Sequence, residues 1–375
     1  MLRVGITGQA GFIGTHLFNY LNLKKEEIST VPFEDRYFEN EKLLNSFVSG
    51  CDAIVHLAAM NRHPDPQVIY DTNISLVKTL INSLEATGSR PHVLFSSSTQ
   101  EERDNLYGKS KQTGRELFES WARRNGSLFT GLVIPNVFGP FGKPFYNSVI
   151  ATFCHQLTQG ESPRIDIDAG LQLIYINELV GVFYKFITDS ERESDIIKFK
   201  VPFTAGMKVT EILGLLETYK KTYFEDHCFP ELSSPFEYNL FNTFRSYINH
   251  PVYFPVSLKK NSDNRGVFIE TVKTKTGGQF SFSTTLPGIT RGNHFHIRKI
   301  ERFTVIKGKA VIELRRIGTN EVLRFGLDGA NPSFVDMPVW YTHNITNTGK
   351  DDLITLFWIN EFFDPDDPDT FFEKV

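Results

Sequence analysis

The opening stretch, MLRVGITGQAGFIGTHLFNYL, constrains the fold more than any other part of the chain: an apolar run, then Gly8, Gly11 and Gly14, then an amphipathic pattern of helical period. Glycines are needed where a backbone turns tightly out of a strand. They are also needed where a pyrophosphate comes close to a helix N-terminus, whose free N–H groups and dipole favour negative charge. Set between strand and helix, the trio predicts the start of a dinucleotide-binding α/β domain. The second strand is expected at Ile28 to Phe33, and its end is where the adenosine ribose is read. An acidic residue there accepts from a 2′-hydroxyl, and a basic one favours a 2′-phosphate. The chain offers Glu34, Asp35 and Arg36 in succession. The reading leans to NADP(H) on Arg36, with NAD left open.

Asp52 to Ala59, DAIVHLAA, reads as a buried strand ending in small residues, against whose backbone a cofactor can lie. Asn61, Arg62 and His63 follow on a loop that can face substrate, and Asn73 sits on a helix beside it. Next comes VLFSSSTQEERDNLYGKSK, from Val93 to Lys111. A strand ends in Ser96, Ser97 and Ser98, and Tyr107 stands four residues before Lys111, on the same helical face. A neighbouring ammonium favours a phenolate and lowers its pKa, so this pair is expected to pass a proton near neutral pH, with a strand-end serine holding the same substrate oxygen. That chemistry suits placing a proton on a carbonyl oxygen while hydride reaches its carbon.

Strands alternating with helices as far as the turn Pro135-Asn136-Val137-Phe138-Gly139 predict a doubly wound parallel sheet. Together, Gly8-x-x-Gly11-Phe12-Ile13-Gly14, His56-Leu57-Ala58-Ala59, the serine cluster, Tyr107-x-x-x-Lys111 and that turn resemble the extended short-chain dehydrogenase/reductase family over residues 1–247. The resemblance implies a catalytic Ser98 (Ser97 in the alternative register), Tyr107 and Lys111. It implies cofactor contacts at Gly8, Gly11, Phe12, Ile13, Gly14, Leu57, Ala58, Ala59 and Asn73. Substrate contacts are expected at Arg62, Ser97, Asn136 and, on a helix running from Asn147 through Ser148 to Leu157, at Asn147 and Ser148. Helical patterns around Asn177–Ile187 and Val209–Tyr219 would form a smaller substrate lobe. Glu101 and Glu102 stand near where dehydratases of this family carry acidic residues, but they lie in a charged loop and read as solvated surface.

Composition changes near His250. From 254 to 375 short runs of β-branched and aromatic residues alternate with turns such as Asp263-Asn264-Arg265-Gly266, which predicts a small all-β barrel. Within it His294 and His296 are two apart, on one face of a strand; Glu301 and His343 follow. Three imidazoles and a carboxylate suit one divalent metal: Zn first, then Fe, Ni or Mn. Gly288-x5-His294-x-His296-x4-Glu301-x6-Gly308 with Pro338 and His343 resembles the cupin motifs, which implies those four residues as ligands. Trp340 stands where a glycine is usual and is expected to narrow the pocket. Arg291-Gly292-Asn293-His294 is also similar to a segment of cupin-like 3,5-epimerases in which the histidine is a base, so His294 is either ligand or base, with Tyr341 the other candidate base.

At 375 residues the chain can bury two cores. Its 40% hydrophobic and 22% charged residues are those of a soluble globular protein, and a net charge of −4 gives no sign of attraction to nucleic acid or membrane. Cys51, Cys154 and Cys228 have no metal or redox spacing and read as reduced thiols. With no leader or membrane span, a cytoplasmic enzyme is expected.

A reductase followed by a cupin in this order is similar, over the whole chain, to the CapF family of capsular polysaccharide enzymes. The resemblance implies a homodimer acting on a nucleotide-sugar. The cupin would epimerise C3 of a UDP-2-acetamido-2,6-dideoxy-4-ketohexose, and the reductase would then reduce C4 with NADPH. The alternatives are a single-function 4-ketoreductase carrying a cupin for dimerisation, and an NAD-recycling 4-epimerase or 4,6-dehydratase.

Overall fold

The N-terminal apolar run forms β1 (Leu2–Thr7), which pairs in parallel with β2 (Ile28–Val31) on one side and β3 (Ala53–His56) on the other. β4 (His92–Ser98) and β5 (Phe129–Ile134) continue the sheet. Further on come β6 (Asn136–Phe138), β7 (Gly170–Tyr175), β8 (Ile196–Lys200) and β9 (Ala205–Lys208). The main sheet has the order β2-β1-β3-β4-β5-β8, every pair parallel, while β6, β7 and β9 form a small sheet of their own. Helices α1 (Phe12–Leu21), α2 (Glu41–Ser49), α3 (Pro66–Thr87) and α4 (Leu106–Asn125) form the crossovers. Such helices cover both faces of a sheet, which is why Val4, Ile54, Val55, Val93, Leu94 and Leu132 are fully buried consecutive apolar residues rather than an alternating set. The strand order reverses between β1 and β3, so the crevice for a ligand opens at their C-terminal ends, beside Gly8. This is the Rossmann-type sheet expected. β2 ends two residues early, because Phe33 leaves the strand to pack into the core against Phe47 at a ring distance of 4.8 Å.

The structure is a computed structural model describing residues 1–189, 194–264 and 266–375; Arg265, in the turn quoted above, lies outside the described residues. Packing divides the chain into two compact units, 1–152 with 168–209, and 153–167 with 210–375. Among the described residues the further α-helices are α5 (Val149–Thr158), α6 (Ile176–Thr188), α7 (Val209–Tyr219), α8 (Pro235–Arg245) and α9 (His250–Tyr253). The sequence reading draws its boundary near 250, whereas residues 210–250 group with the β region. Buried polar contacts explain this grouping. Tyr223 Oη donates to Asp336, Asn242 Nδ2 to the Arg298 carbonyl at 2.9 Å, and Arg245 Nη2 to the Met337 carbonyl at 3.0 Å.

The short strands of the second unit are β10 (Cys228–Phe229), β11 (Val256–Ser257), β12 (Lys260–Asp263), β13 (Gly266–Ile269) and β14 (Lys273–Thr274). The longer ones are β15 (Gln279–Thr285), β16 (Thr290–Phe295), β17 (Glu301–Lys307), β18 (Lys309–Arg316), β19 (Val322–Asp328), β20 (Ser333–Met337), β21 (Tyr341–Asn347) and β22 (Leu353–Ile359), with β23 (Phe371–Phe372) last. Two antiparallel five-stranded sheets result, ordered β11-β20-β17-β22-β15 and β19-β18-β21-β16-β23. Val305, Ile312, Leu314, Phe334 and Met337 belong to a single buried apolar cluster drawn from both. This is the expected cupin-like all-β architecture. Among the described residues no helix is long and apolar enough to cross a membrane.

Candidate active site and metal centre

Gly8 has φ +70°, and a Cβ there would lie 2.8 Å from the Ala58 nitrogen; a Cβ on Gly14 would lie 2.3 Å from the Gly8 carbonyl. The loop is therefore pressed onto the segment Leu57-Ala58-Ala59, and only glycine fits. Gly11 caps α1, whose first turn carries Phe12 and Ile13. Asn73 Oδ1 accepts from the Met60 N–H at 2.7 Å, and its Nδ2 donates to the Met60 carbonyl and to Ser110 Oγ. Its side chain thus holds the loop after β3 in place. Arg36 is exposed and paired with Glu34 at 2.9 Å, a contact open to solvent that a phosphate can displace.

β4 delivers the serines and α4 the tyrosine and lysine. Asn105 caps α4, its Oδ1 accepting from the Gly108 N–H at 2.7 Å. A Cβ on Gly108 would lie 2.0 Å from the Gln100 carbonyl, so glycine lets the loop after Ser98 lie on the first turn beside Tyr107. Ser98 Oγ accepts from the Gln100 N–H at 3.2 Å, which leaves its own proton to donate. Ser97 is buried, and its hydroxyl donates to Glu101. Of the two serines, then, the half-buried Ser98 keeps a proton to donate, whereas the Ser97 hydroxyl is engaged by Glu101. Lys111 Nζ donates to the Ser96 carbonyl at 2.9 Å and lies 5.9 Å from the centre of the Tyr107 ring.

The expectation that Lys111 pulls the Tyr107 pKa down does not hold. Burial pushes the phenol up to about 12, with Tyr146 adding to the shift, and burial lowers Lys111 to about 8 against the opposing pull of Glu101. Desolvation outweighs attraction between groups that share no hydrogen bond. Tyr107 is therefore an acid that stays protonated, and Lys111 is the group that titrates near neutrality.

Glu101 is not the solvated surface residue that its charged loop predicts. Its side chain is only 4% exposed and accepts from Arg115 Nε at 3.0 and 3.2 Å and from Nη2 at 3.1 Å, with Lys198 Nζ at 3.3 Å. Burial alone would raise its pKa, but the bonds from Arg115 and Ser97 hold it below the usual carboxylate range. Glu102 matches the surface reading: exposed, and paired with Lys200. A buried Arg115, on the helix that carries Lys111, is the partner that an isolated sequence window does not show.

Arg62 Nη1 donates to the carbonyls of Phe145 and Tyr146 at 2.9 and 3.0 Å, fixing the loop ahead of α5. That loop carries the exposed Asn147 and the half-buried Ser148, whose Oγ accepts from the Ala151 N–H at 3.3 Å. Asn136 is exposed at the start of β6 and donates to the Gln172 carbonyl at 3.2 Å.

In the second unit, His294 on β16, His296 just past its end, Glu301 at the start of β17 and His343 on β21 converge from two sheets. Their ligand atoms all lie within 4.8 Å of one another. A bulge makes this possible: Gly292 has φ +100° and Asn293 φ +61°, and the register against β21 shifts between Gly292 and His294. Glu301 Oε2 lies 3.1 Å from His296 Nε2 and 3.4 Å from His343 Nε2. His296 Nδ1 donates to the Asp369 carbonyl and His343 Nδ1 to the Tyr341 carbonyl, which leaves each Nε2 lone pair for a metal. Those two Nε2 atoms and Glu301 Oε2 are buried without a hydrogen-bond partner, so the four residues fit a divalent cation.

The four groups shift one another: burial lowers His296, but Glu301 more than offsets this and raises it. Glu301 is held well below the usual carboxylate range, burial being outweighed by His296 and His343. Burial, with the neighbouring imidazoles, lowers His294 to about 4. His294 stands inside the cluster, which favours ligand over free base. Trp340 keeps the backbone a glycine would take, φ +62°, but its ring stacks on Phe295 at 5.8 Å. Phe295 lies between the two histidines in sequence, on the alternate face of the strand from His294.

Residues 4–198 match the NAD dependent epimerase/dehydratase family, and residues 261–371 match the polysaccharide biosynthesis C-terminal domain. The chain is 32% identical over 371 residues to the UDP-2-acetamido-2,6-beta-L-arabino-hexul-4-ose reductase of Pseudomonas aeruginosa, covering 99% of this chain and 98% of that one. It is 34% identical to the crystal structure of the capsular polysaccharide assembling protein CapF of Staphylococcus aureus, with a TM-score of 0.63 and full coverage of both chains. RMD of Pseudomonas aeruginosa, in complex with NADPH, shares the fold of the first unit over 59% of this chain and 84% of its own, at 23% identity and a TM-score of 0.53. By sequence and fold along its whole length, the chain belongs to the CapF family, in which a domain of the NAD dependent epimerase/dehydratase type is joined to a polysaccharide biosynthesis C-terminal domain.

Proposed function

We propose that this nucleotide-sugar enzyme of polysaccharide biosynthesis is bifunctional. The cupin epimerises C3 of a UDP-2-acetamido-2,6-dideoxy-4-ketohexose, and the reductase then reduces C4 with NADPH to a UDP-6-deoxy-talose sugar, a precursor of N-acetyl-L-fucosamine. The enzyme works as a cytoplasmic homodimer. The observation that carries this reading is the end-to-end similarity to a reductase whose name specifies a 4-ketohexose. The geometry of each unit supports it.

The C3 proton is acidic only while C4 is a ketone, because the carbanion delocalises onto that oxygen; epimerisation must therefore precede reduction. When bound, the nicotinamide cofactor supplies hydride, and a divalent metal (Zn in this reading) supplies positive charge that favours the enolate. His294, His296, Glu301 and His343 would hold that metal. In the reductase, Ser98 donates to the C4 oxygen and Tyr107, protonated throughout the neutral range, gives it a proton. Lys111, anchored on the Ser96 carbonyl, supports the ring from below. A dehydratase reading needs a free acid after the serines. Glu101 is saturated by Arg115 and Ser97, which argues against it.

The test is incubation with the UDP-4-ketohexose in D2O without nicotinamide, following the C3 proton by NMR. Loss of the signal is expected. Retention in protein that still oxidises NADPH would leave a single-function ketoreductase.

A further inference from the structure

Three of the four residues of the imidazole cluster lie on strands whose backbone is fixed by the sheet ladder. His296 does not, because β16 ends at Phe295. The His296 carbonyl accepts from the Trp340 N–H at 2.8 Å, and its ring is held by a residue 73 positions further along the chain. Asp369 is buried, 3% exposed, with a left-handed backbone at φ +40°. Its carbonyl accepts the His296 Nδ1 proton. Its carboxylate accepts three successive N–H groups of the loop leaving His296: Ile297 at 3.1 Å, Arg298 at 3.0 Å and Lys299 at 2.9 Å. Lys299 Nζ donates back to the Pro368 carbonyl at 2.6 Å, and β23, two residues beyond, pairs with β16 at His294 and Phe295.

We infer that Asp369 is the positioning residue of the metal centre: its side chain clamps the 297–299 loop so that its main chain can hold the His296 ring in the ligating tautomer and direction. The carboxylate is not one of the four groups that converge at the candidate metal site. It acts through three amides and one carbonyl, and a carboxylate bound by successive N–H groups is a strong, directional anchor. Outer contacts of this kind set how well an imidazole is presented to its metal. The backbone at φ +40° is one that an L-residue adopts at a cost, and it is the backbone that turns the Asp369 carbonyl toward the ring while the carboxylate faces the loop.

This inference rests on the reading of the cluster as a metal site, and the test separates the two. Apo-protein is titrated with Co2+ against a chromophoric chelator, and the visible d–d spectrum of the complex is recorded, for wild type, Asp369→Ala and Asp369→Asn. NADPH binding to the first unit and thermal unfolding serve as controls for fold. Wild type is expected to bind one Co2+. Asp369→Ala should bind it roughly 10–100-fold more weakly with a changed spectrum. Asp369→Asn keeps an acceptor oxygen and should recover part of both. Wild type that binds no Co2+ overturns the metal reading itself. Wild type that binds while Asp369→Ala matches it in affinity and spectrum overturns the inference alone. If Asp369→Ala fails to fold, Asp369→Asn decides the matter: affinity and spectrum equal to wild type overturn the inference, and a weaker site with an altered spectrum supports it.

Discussion

Removing the Glu101 carboxylate should cost the reductase domain about 3 kcal/mol. In Glu101→Gln the side chain keeps its shape and one acceptor, but Arg115, only 7% exposed, loses its bidentate, most buried charge partner at 3.0–3.2 Å and keeps Glu119 at 3.3 Å and Glu116 at 3.8 Å. Breaking one side of a buried ion pair costs about 3–5 kcal/mol when the remaining ion stays desolvated without compensation; the residual amide contact and the half-buried Glu119 put this case at the low end. For a domain of this size that is a drop of about 6–12 °C in midpoint. Glu102→Gln is the control one residue away. Glu102 is 69% exposed and its pair with the 65% exposed Lys200 is open to solvent, so its loss should stay within about 0.5 kcal/mol. The pH dependence has a definite sign. Since the Glu101 pKa is lowered from 4.5 in the folded protein, its stabilisation is fully present above 4.5 and is lost as pH falls through the folded value. The midpoints of wild type and Glu101→Gln should therefore be well separated at pH 7 and converge in acid. Differential scanning calorimetry of the three proteins from pH 7 to pH 3 measures this. Equal midpoints for the two variants at pH 7 would falsify the argument.

The remaining predictions concern the two chemistries separately. Tyr107→Phe removes the proton donor and should lower NADPH oxidation about 10²- to 10⁴-fold while leaving C3 exchange intact; His296→Ala should do the reverse. Loss of both activities in either folded variant would refute the division of labour. Reduction should decline as pH rises past about 8, where the buried Lys111 loses its proton, and Lys111→Arg should remove that limb from the kcat profile whatever its absolute rate. A limb unmoved by the arginine belongs to another group. Gly8→Ala places a Cβ 2.8 Å from the Ala58 nitrogen on a left-handed backbone, so NADPH affinity measured by fluorescence titration should fall roughly ten- to hundredfold; unchanged affinity would mean that the turn does not contact the cofactor.

What could be read from the sequence was whatever carries its own chemistry or its own period. Gly8, Gly11 and Gly14 could be placed because a strand-to-helix turn against a pyrophosphate admits little else. His294, His296, Glu301 and His343 could be placed because few other residue types bind a metal. The helix carrying Tyr107 and Lys111 could be placed by the four-residue spacing of that pair, whereas its caps, Asn105 and Gly126, are seen only in the structure. Boundaries were less legible. β2 stops at Val31 because Phe33 finds an aromatic core, and the segment from Thr210 to His250 groups with the β region through Tyr223, Asn242 and Arg245, whose partners lie 56 to 113 residues away. The pKa of Tyr107 was predicted in the wrong direction because the sequence shows that a lysine is near but not how deeply the phenol is buried.

Glu101 and Asp369 share the reason they escaped a sequence reading, and that reason is physical. Each is an acidic residue among acidic neighbours, Glu101-Glu102 in one case and Asp364 to Asp369 in the other, and clusters of charge ordinarily mean solvent. In each cluster one carboxylate turns inward and meets enough donors to offset its desolvation: Arg115 with the Ser97 hydroxyl for Glu101, three backbone N–H groups for Asp369. Their neighbours stay out in water, Glu102 paired with an exposed lysine and Asp367 with Arg298. The donors that make the difference come from 14 residues away for Arg115 and about 70 for the amides, beyond any local window. A buried carboxylate fixed by several donors is costly to move, so it transmits rigidity to its surroundings: the end of the serine strand in one unit, the His296 imidazole of the candidate metal cluster in the other. The motif residues identify the chemistry, and a carboxylate from outside each motif sets how firmly its geometry is held.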